Sequence, residues 1–174
     1  MHILVELAKK TVEEHIKSGT VLTVPLDFPS EFISRKAGVF VTIEEKGDLR
    51  GCIGTYLPCH ENVAVETIQN AVAAASQDYR FDPIDISELP YLKYTVSILN
   101  RPDPVRNLEE LDPKIYGVIV KSSKGNGEKT GLLLPGLEGI DRADDQLAIA
   151  CQKAGIDSEK EQIKIYKFTV EKYS

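Results

Sequence analysis

A cysteine lies two residues from an arginine in the segment Arg50-Gly51-Cys52-Ile53-Gly54, and this pair is the clearest candidate for chemistry in the chain. If the segment is a β-strand, its side chains alternate between two faces, so Arg50 and Cys52 share one face. A nearby cation favours the thiolate form of a cysteine. The pair would therefore suit a nucleophile or covalent carrier that also binds an anion.

Both residues also have an ordinary structural interpretation. A free cysteine is most often a small buried side chain, and Arg50 could pair with a nearby acid such as Asp48. A guanidinium can equally hold a carboxylate or phosphate, including the chain terminus of a partner. Gly51 and Gly54 fit either view, since a glycine in a strand often marks a bulge or the close approach of a ligand or another backbone. Cys52 and Arg50 are candidate catalytic residues, and the two glycines are candidate ligand-binding residues.

The same alternation places Leu49, Ile53 and Thr55 on the other face of the strand, together with Gly51. These side chains are mostly apolar, so this face is predicted to lie on the core. The face that carries the cysteine is then predicted to be open and polar.

Two further charges, Arg80 and Asp82, flank Phe81 after a predicted helix. In the simplest interpretation Phe81 anchors a loop in the core, and the two charges bind backbone groups or each other. They are also candidate ligand-binding residues. Cys59 and His60 lack the paired spacing of metal ligands, so no metal site and no cofactor is predicted.

The elements that must position these residues are predicted to occur twice. A β-hairpin, a helix and a strand span about 38–100 and again about 117–173, after a leading helix at about 3–18. The similar segments are Gly38-Val39-Phe40-Val41 and Gly117-Val118-Ile119-Val120, with Lys-Gly turns at Lys46-Gly47 and Lys124-Gly125. This order predicts an α+β fold with a mainly antiparallel sheet, packed helices and internal duplication, within a single domain of residues 1–174.

Composition narrows the class of protein. The net charge of −6 argues against a nucleic-acid partner, which needs a basic face. The one basic cluster, from Lys121 to Lys129, is broken by glycines and predicts a solvated hairpin tip. The apolar runs are too short to span a membrane, and no charged-then-apolar leader opens the chain. Three widely spaced cysteines do not form a disulfide framework, so a cytoplasmic location is expected.

Several motifs occur in an order that is similar to a known family. They are Gly38-Val39-Phe40-Val41-Thr42, Leu49-Arg50-Gly51-Cys52-Ile53-Gly54, Asp78-Tyr79-Arg80-Phe81, Val96-Ser97-Ile98-Leu99, Leu133-Leu134-Pro135 and Cys151-Gln152-Lys153-Ala154-Gly155. With them the chain, from Leu4 to Tyr173, resembles the AMME chromosomal-region (AMMECR) family, in particular its prokaryotic branch in the AmmeMemoRadiSam system. The chain departs from that family at Tyr79, where proline is common.

The resemblance implies an α+β protein of two interlocked subdomains and no settled biochemical role. It also implies association with a Memo-like protein, similar to metal-dependent dioxygenases, and with a radical-SAM protein. Two functions follow as alternatives. The protein is an accessory component that binds a partner or a small anion at the Arg50–Gly54 strand, or it is an enzyme or carrier with Cys52 as nucleophile and Arg50 as anion-binding group. For the second, His60 is the only histidine close in sequence, so an obvious general base is missing.

Overall fold

The helices and strands of this protein alternate without a regular strand–helix repeat. The structure is a computed structural model that describes residues 1–123 and 127–174. Its α-helices are α1 Ile3–Ser18, α2 Ser30–Ser34, α3 Val63–Ser76 and α4 Ala143–Ala154. Its strands are β1 Val39–Glu45, β2 Asp48–Gly54, β3 Leu92–Leu99, β4 Asp103–Pro104, β5 Gly117–Ser123, β6 Glu128–Leu133, β7 Ile163–Phe168 and β8 Val170–Tyr173. Short 3-10 helices lie at Leu89–Tyr91 and Leu108–Glu110. The predicted α+β class with antiparallel strand pairing is confirmed.

The first compact unit comprises Met1–Leu99 and Glu171–Ser174. Its four strands lie in the order β2-β1-β3-β8, and α1 and α3 pack on the sheet. Alternate residues of β1 point at these helices, so Val39, Val41 and Ile43 are fully buried. Removing these side chains from water is the main contribution to the stability of the unit.

The second compact unit comprises Asn100–Val170, with strand order β4-β7-β5-β6 and α4 packed against β5 and β6. Its core contains Val118, Val120 and Ala150. As in the first unit, a hairpin is followed by a helix and by a strand that pairs with the first hairpin strand. The predicted internal duplication stays a prediction.

The predicted Lys124-Gly125 turn and the centre of the predicted Lys121–Lys129 tip lie outside the described residues. The flanking strands are described, and β5 and β6 pair from Val118–Leu133 to Ser123–Glu128. No helix in the described part of the chain is long and apolar enough to cross a membrane.

A glycine in the second hairpin strand of each unit faces the helix packed on it. A Cβ atom at Gly51 would collide with the carbonyl oxygen of Ala74 in α3, and one at Gly131 with that of Ala150 in α4. The missing side chain lets the helix backbone approach the strand closely. The two units therefore use the same device to join helix and sheet.

Candidate functional site

Strand β2 contains a β-bulge at Arg50. Ile43 of β1 pairs with Gly51 and the next residue, Glu44, pairs with Leu49, so Arg50 has no partner on β1. A bulge shifts the alternation of the residues beyond it. Leu49 therefore lies opposite Glu44 and is 43% exposed, and its predicted place on the core face is wrong.

The Arg50 side chain is held by the segment that precedes β3. Its Nε and Nη2 atoms donate to the two carboxylate oxygens of Glu88, at 2.6 and 3.0 Å. Its Nη1 atom donates to the Asp82 carbonyl oxygen at 2.9 Å, and Nη2 also lies 3.4 Å from the Pro83 carbonyl oxygen. The hydrogen bonds from Arg50 hold the pKa of Glu88 below its ordinary value. Every guanidinium nitrogen is thus used within the chain, with Glu88 rather than Asp48 as partner.

Cys52 lies on the sheet face away from α3, with its sulfur 3.3 Å from the hydroxyl of Thr42 on the neighbouring strand. The thiol is half-buried. The backbone of Cys52 points out from the edge of the sheet, where its N–H donates to Asp78 Oδ2 at 2.9 Å and its carbonyl accepts from Arg80 Nη2 at 3.2 Å. A free strand edge can pair with a strand of another chain. Here the Asp78 carboxylate and the Arg80 guanidinium bind the main-chain groups of that edge at Cys52.

Asp78 and Arg80 form a bidentate ion pair beside Cys52. Arg80 Nε donates to Oδ1 at 2.9 Å and Nη2 to Oδ2 at 2.7 Å. The Asp78 side chain is only 2% exposed, whereas that of Arg80 is 41% exposed. Hydrogen bonding from Arg80, helped by the Cys52 N–H and opposed by burial, lowers the pKa of Asp78 to about 2. Asp78 is thus a buried anion that holds Arg80 in one orientation.

Arg80 and Asp82 were predicted to bind backbone groups or each other; among the described residues they do not pair, and Arg80 does bind a backbone group, the Cys52 carbonyl. Arg80 binds Asp78, whereas Asp82 contributes its backbone carbonyl to Arg50 and is itself exposed. Phe81, predicted to anchor the loop, is only half-buried; the buried anchor is Ile84, whose N–H donates to the Ala75 carbonyl at 2.9 Å. Asp82 therefore lies near the site through its main chain rather than its carboxylate.

A buried carboxylate that the sequence interpretation missed organises the turn after β2. Glu66 of α3 is fully buried and accepts from the Thr55 hydroxyl at 2.6 Å and from the N–H groups of Cys59 and His60 at 3.0 and 2.9 Å. The turn leaves the Cys59 thiol exposed. Within residues 1–123 and 127–174, no cluster of three or more His, Cys, Asp or Glu is placed to hold a metal.

Three acids at the site, Asp78, Glu66 and Glu88, were not among the predicted residues. Glu66 could have been noticed, because an acid at the start of an apolar helix stripe must find hydrogen-bond donors once that face is buried. Asp78 was part of the quoted motif Asp78-Tyr79-Arg80-Phe81 without being taken as a site residue, and Glu88 gave no signal. The partner of Glu88 is Arg50 on β2, 38 residues away in sequence, and Asp78 binds the Cys52 N–H on β2, 26 residues away, in addition to Arg80.

The two glycines of the motif are explained by close contacts inside the unit. Gly51 lies against Ala74, and a Cβ atom at Gly54 would run into the ring of Phe40. These contacts require glycine whether or not a ligand binds. The ligand-binding role of Gly51 and Gly54 stays a prediction.

This chain has two antiparallel sheets with packed helices. Asp78 and Arg80 cover the edge of its Arg-Gly-Cys-Ile-Gly strand. The family model AMMECR1 matches residues 5–173, and the chain belongs to that family. It is 47% identical over 173 residues to a protein of Thermotoga maritima, covering 99% of this chain and 97% of that one.

Other relatives match this chain over different shares of their own length. The chain is 41% identical over 170 residues to protein CA_C1420 of Clostridium acetobutylicum and spans 34% of that protein's length. It also matches the crystal structure of the uncharacterized protein PH0010 from Pyrococcus horikoshii with a TM-score of 0.87 and 34% identity, covering 97% of this chain and 88% of that one. These comparisons show the family and the fold of the chain. Neither of them assigns a biochemical role to it.

Proposed function

We propose that this protein is an accessory binding protein that holds an anionic group of a partner protein at Arg80, beside Cys52. The observation that carries the proposal is the difference between the two arginines. Arg50 uses all its guanidinium nitrogens within the chain, whereas Arg80 Nη1 makes no hydrogen bond to the described residues and the side chain is 41% exposed. Asp78 already fixes the guanidinium, so little side-chain entropy is lost on binding.

The neighbourhood of Arg80 suits a protein partner. Tyr79 is 95% exposed, and an exposed tyrosine next to an arginine is typical of the residues that dominate binding at interfaces. Because Tyr79 lies beside Arg80, we expect the bound group to be a carboxylate with apolar surface next to it. The guanidinium would bind the carboxylate and the tyrosine ring would contact the apolar part. From the family resemblance we propose the Memo-like protein as this partner, with a radical-SAM protein as a further component, in the cytoplasm.

Replacing Arg80 with glutamine is expected to weaken binding of the purified Memo-like protein from the same organism about tenfold or more, because a charge-assisted hydrogen bond is lost. Titration calorimetry measures the dissociation constant, and thermal unfolding of the variant shows whether it is folded. Arg142→Gln, a change at a strongly exposed arginine in the second unit, is the matched control.

Two results would decide against the proposed site. One is equal affinity of the wild type and a folded Arg80→Gln variant. The other is equal weakening by Arg80→Gln and Arg142→Gln, which would indicate a general effect of net charge. Arg80→Lys is expected to lie between wild type and Arg80→Gln, since lysine keeps the charge without the planar fork.

The second candidate function, a Cys52 nucleophile or carrier, is favoured by one observation. Arg80 Nη2 donates to the Cys52 carbonyl oxygen at 3.2 Å, which places a guanidinium beside this cysteine, and a nearby cation favours the thiolate form. In this version Arg80 replaces Arg50 as the cation near the thiol. The hydroxyl of Thr42, however, is not a general base.

Alkylation by iodoacetamide separates the two functions. If Cys52 has no covalent role, we expect the exposed Cys59 to react fastest and Cys151 slowest, because burial raises the pKa of the Cys151 thiol. Cys52 is then intermediate. The rate is measured against pH in a Cys59→Ser, Cys151→Ser variant, with Cys52→Ser added as control. A Cys52 inflection well below ~8.5 would instead support the carrier.

A further inference from the structure

We propose that the second unit has a separate binding site, in which the edge of β7 accepts an extended acidic peptide segment of a partner protein as an added strand. This site involves neither Cys52 nor Arg80 and is independent of the function proposed above. It rests on the backbone geometry of β7, on an adjoining cleft and on the charges around that cleft.

The edge of β7 is only partly covered. β4 pairs with it through Asp103–Lys167 and Pro104–Tyr166, and the Val105 N–H donates to the Ile165 carbonyl at 2.9 Å. The chain then turns into the 3-10 helix at Leu108–Glu110.

The main-chain groups of Ile163 point to the same side of β7 as those of Ile165, because every second residue of a strand presents its N–H and C=O to the same neighbour. No strand of residues 1–123 or 127–174 pairs with β7 there. The N–H and the C=O of Ile163 therefore point to the side of β7 where β4 no longer pairs with it. An extended peptide can use both, as in strand addition to a sheet edge.

A cleft of about 330 Å³ lies beside this edge. Its apolar lining includes Val105, Leu108, Ile163 and Ile165, which can receive one side chain of an extended segment. A second cavity of about 630 Å³ also borders Ile163, Lys164 and Tyr166, and it extends over Lys121 and Ser123 of β5. Both cavities therefore lie at the Ile163 end of β7, and the first of them adjoins the open edge.

The charges of the cleft favour an acidic segment. Arg106 and Lys164 are exposed lining residues, and neither makes an ion pair with the described residues. Two acids near these residues are paired with other cations. Glu110 binds Lys167 at 2.9 Å, and Glu128 binds Lys121 at 2.8 Å. Two exposed positive charges without an ion pair to the described residues, beside an open strand edge, favour negative side chains in the added strand.

The test uses a defined probe, the fluorescein-labelled peptide acetyl-Glu-Val-Glu-Val-Glu-amide, and its lysine counterpart acetyl-Lys-Val-Lys-Val-Lys-amide. Fluorescence anisotropy at low salt is expected to show binding of the acidic peptide and none of the basic one. The double variant Arg106→Glu, Lys164→Glu is expected to weaken the acidic peptide by about tenfold or more. The double variant Lys114→Glu, Arg142→Glu changes the net charge equally at exposed sites away from the cleft and is expected to bind as wild type.

Hydrogen exchange adds a readout that charge attraction alone would not change. The Ile163 amide is expected to exchange more slowly when the acidic peptide is bound, because its N–H then has a strand partner. Absence of binding by the acidic peptide would overturn the proposal. Equal loss in the two double variants would overturn it as well, and so would binding that leaves the Ile163 amide unprotected.

Discussion

Replacing Gly51 with alanine is expected to lower the free energy of unfolding by about 3 kcal/mol, at the upper end of the usual cost of overpacking. The new Cβ atom would meet the carbonyl oxygen of Ala74, which belongs to the helix backbone. A backbone atom cannot turn aside as a side chain can. The variant must therefore move α3 away from β2 or strain the strand.

Urea denaturation measures this change, with two glycine substitutions for comparison. Gly127→Ala is the control, because a Cβ atom at Gly127 meets nothing within 4 Å. Gly131→Ala is expected to behave like Gly51→Ala, since it faces Ala150 in the same way. If Gly51→Ala were as stable as wild type, the close contact with α3 would not explain this glycine, and the predicted ligand role of Gly51 would gain support.

The second large effect is expected at Asp78. Asp78→Asn should destabilise the protein by about 2 kcal/mol at neutral pH, the free energy that corresponds to lowering the pKa of the carboxyl from 3.8 to about 2. The asparagine side chain cannot neutralise Arg80. It also presents an amide in place of one of the oxygens that bind Arg80 and the Cys52 N–H.

The pH dependence of this effect has a definite sign. The folded-state pKa of Asp78 lies below the unfolded value, so its stabilising contribution is complete above about pH 4 and is lost as the pH falls through about 2. The difference in unfolding free energy between wild type and Asp78→Asn should therefore be constant near neutrality and shrink in acid.

Asp27→Asn is the matched control for this measurement. Asp27 is exposed and makes no hydrogen bond or ion pair with the described residues, so its substitution should have little effect at any pH. A difference for Asp78→Asn that persists unchanged at pH 2 would mean that Asp78 acts through its shape rather than its charge.

The local sequence pattern predicted the helices and strands well and the side-chain contacts of the candidate site poorly. The apolar alternation of β1 was sufficient to predict a strand, because the residues that decide it are neighbours in sequence. The face of Leu49 could not be predicted in this way. One extra residue at Arg50 moved Leu49 to the other side of the sheet, and the sequence around a bulge need not differ from that of a regular strand.

The sequence by itself determined the α+β class, the family and the segment in which the candidate site lies, because these depend on periodicity and on motifs of adjacent residues. Tertiary structure alone decided which arginine remains available. Arg50 is held by Glu88, 38 residues away, and Arg80 is directed by Asp78 to the edge of β2 at Cys52, 28 residues away. Such contacts follow from how the segment after α3 folds back over the sheet edge, and hydrogen bonds across that distance leave no local pattern in the sequence.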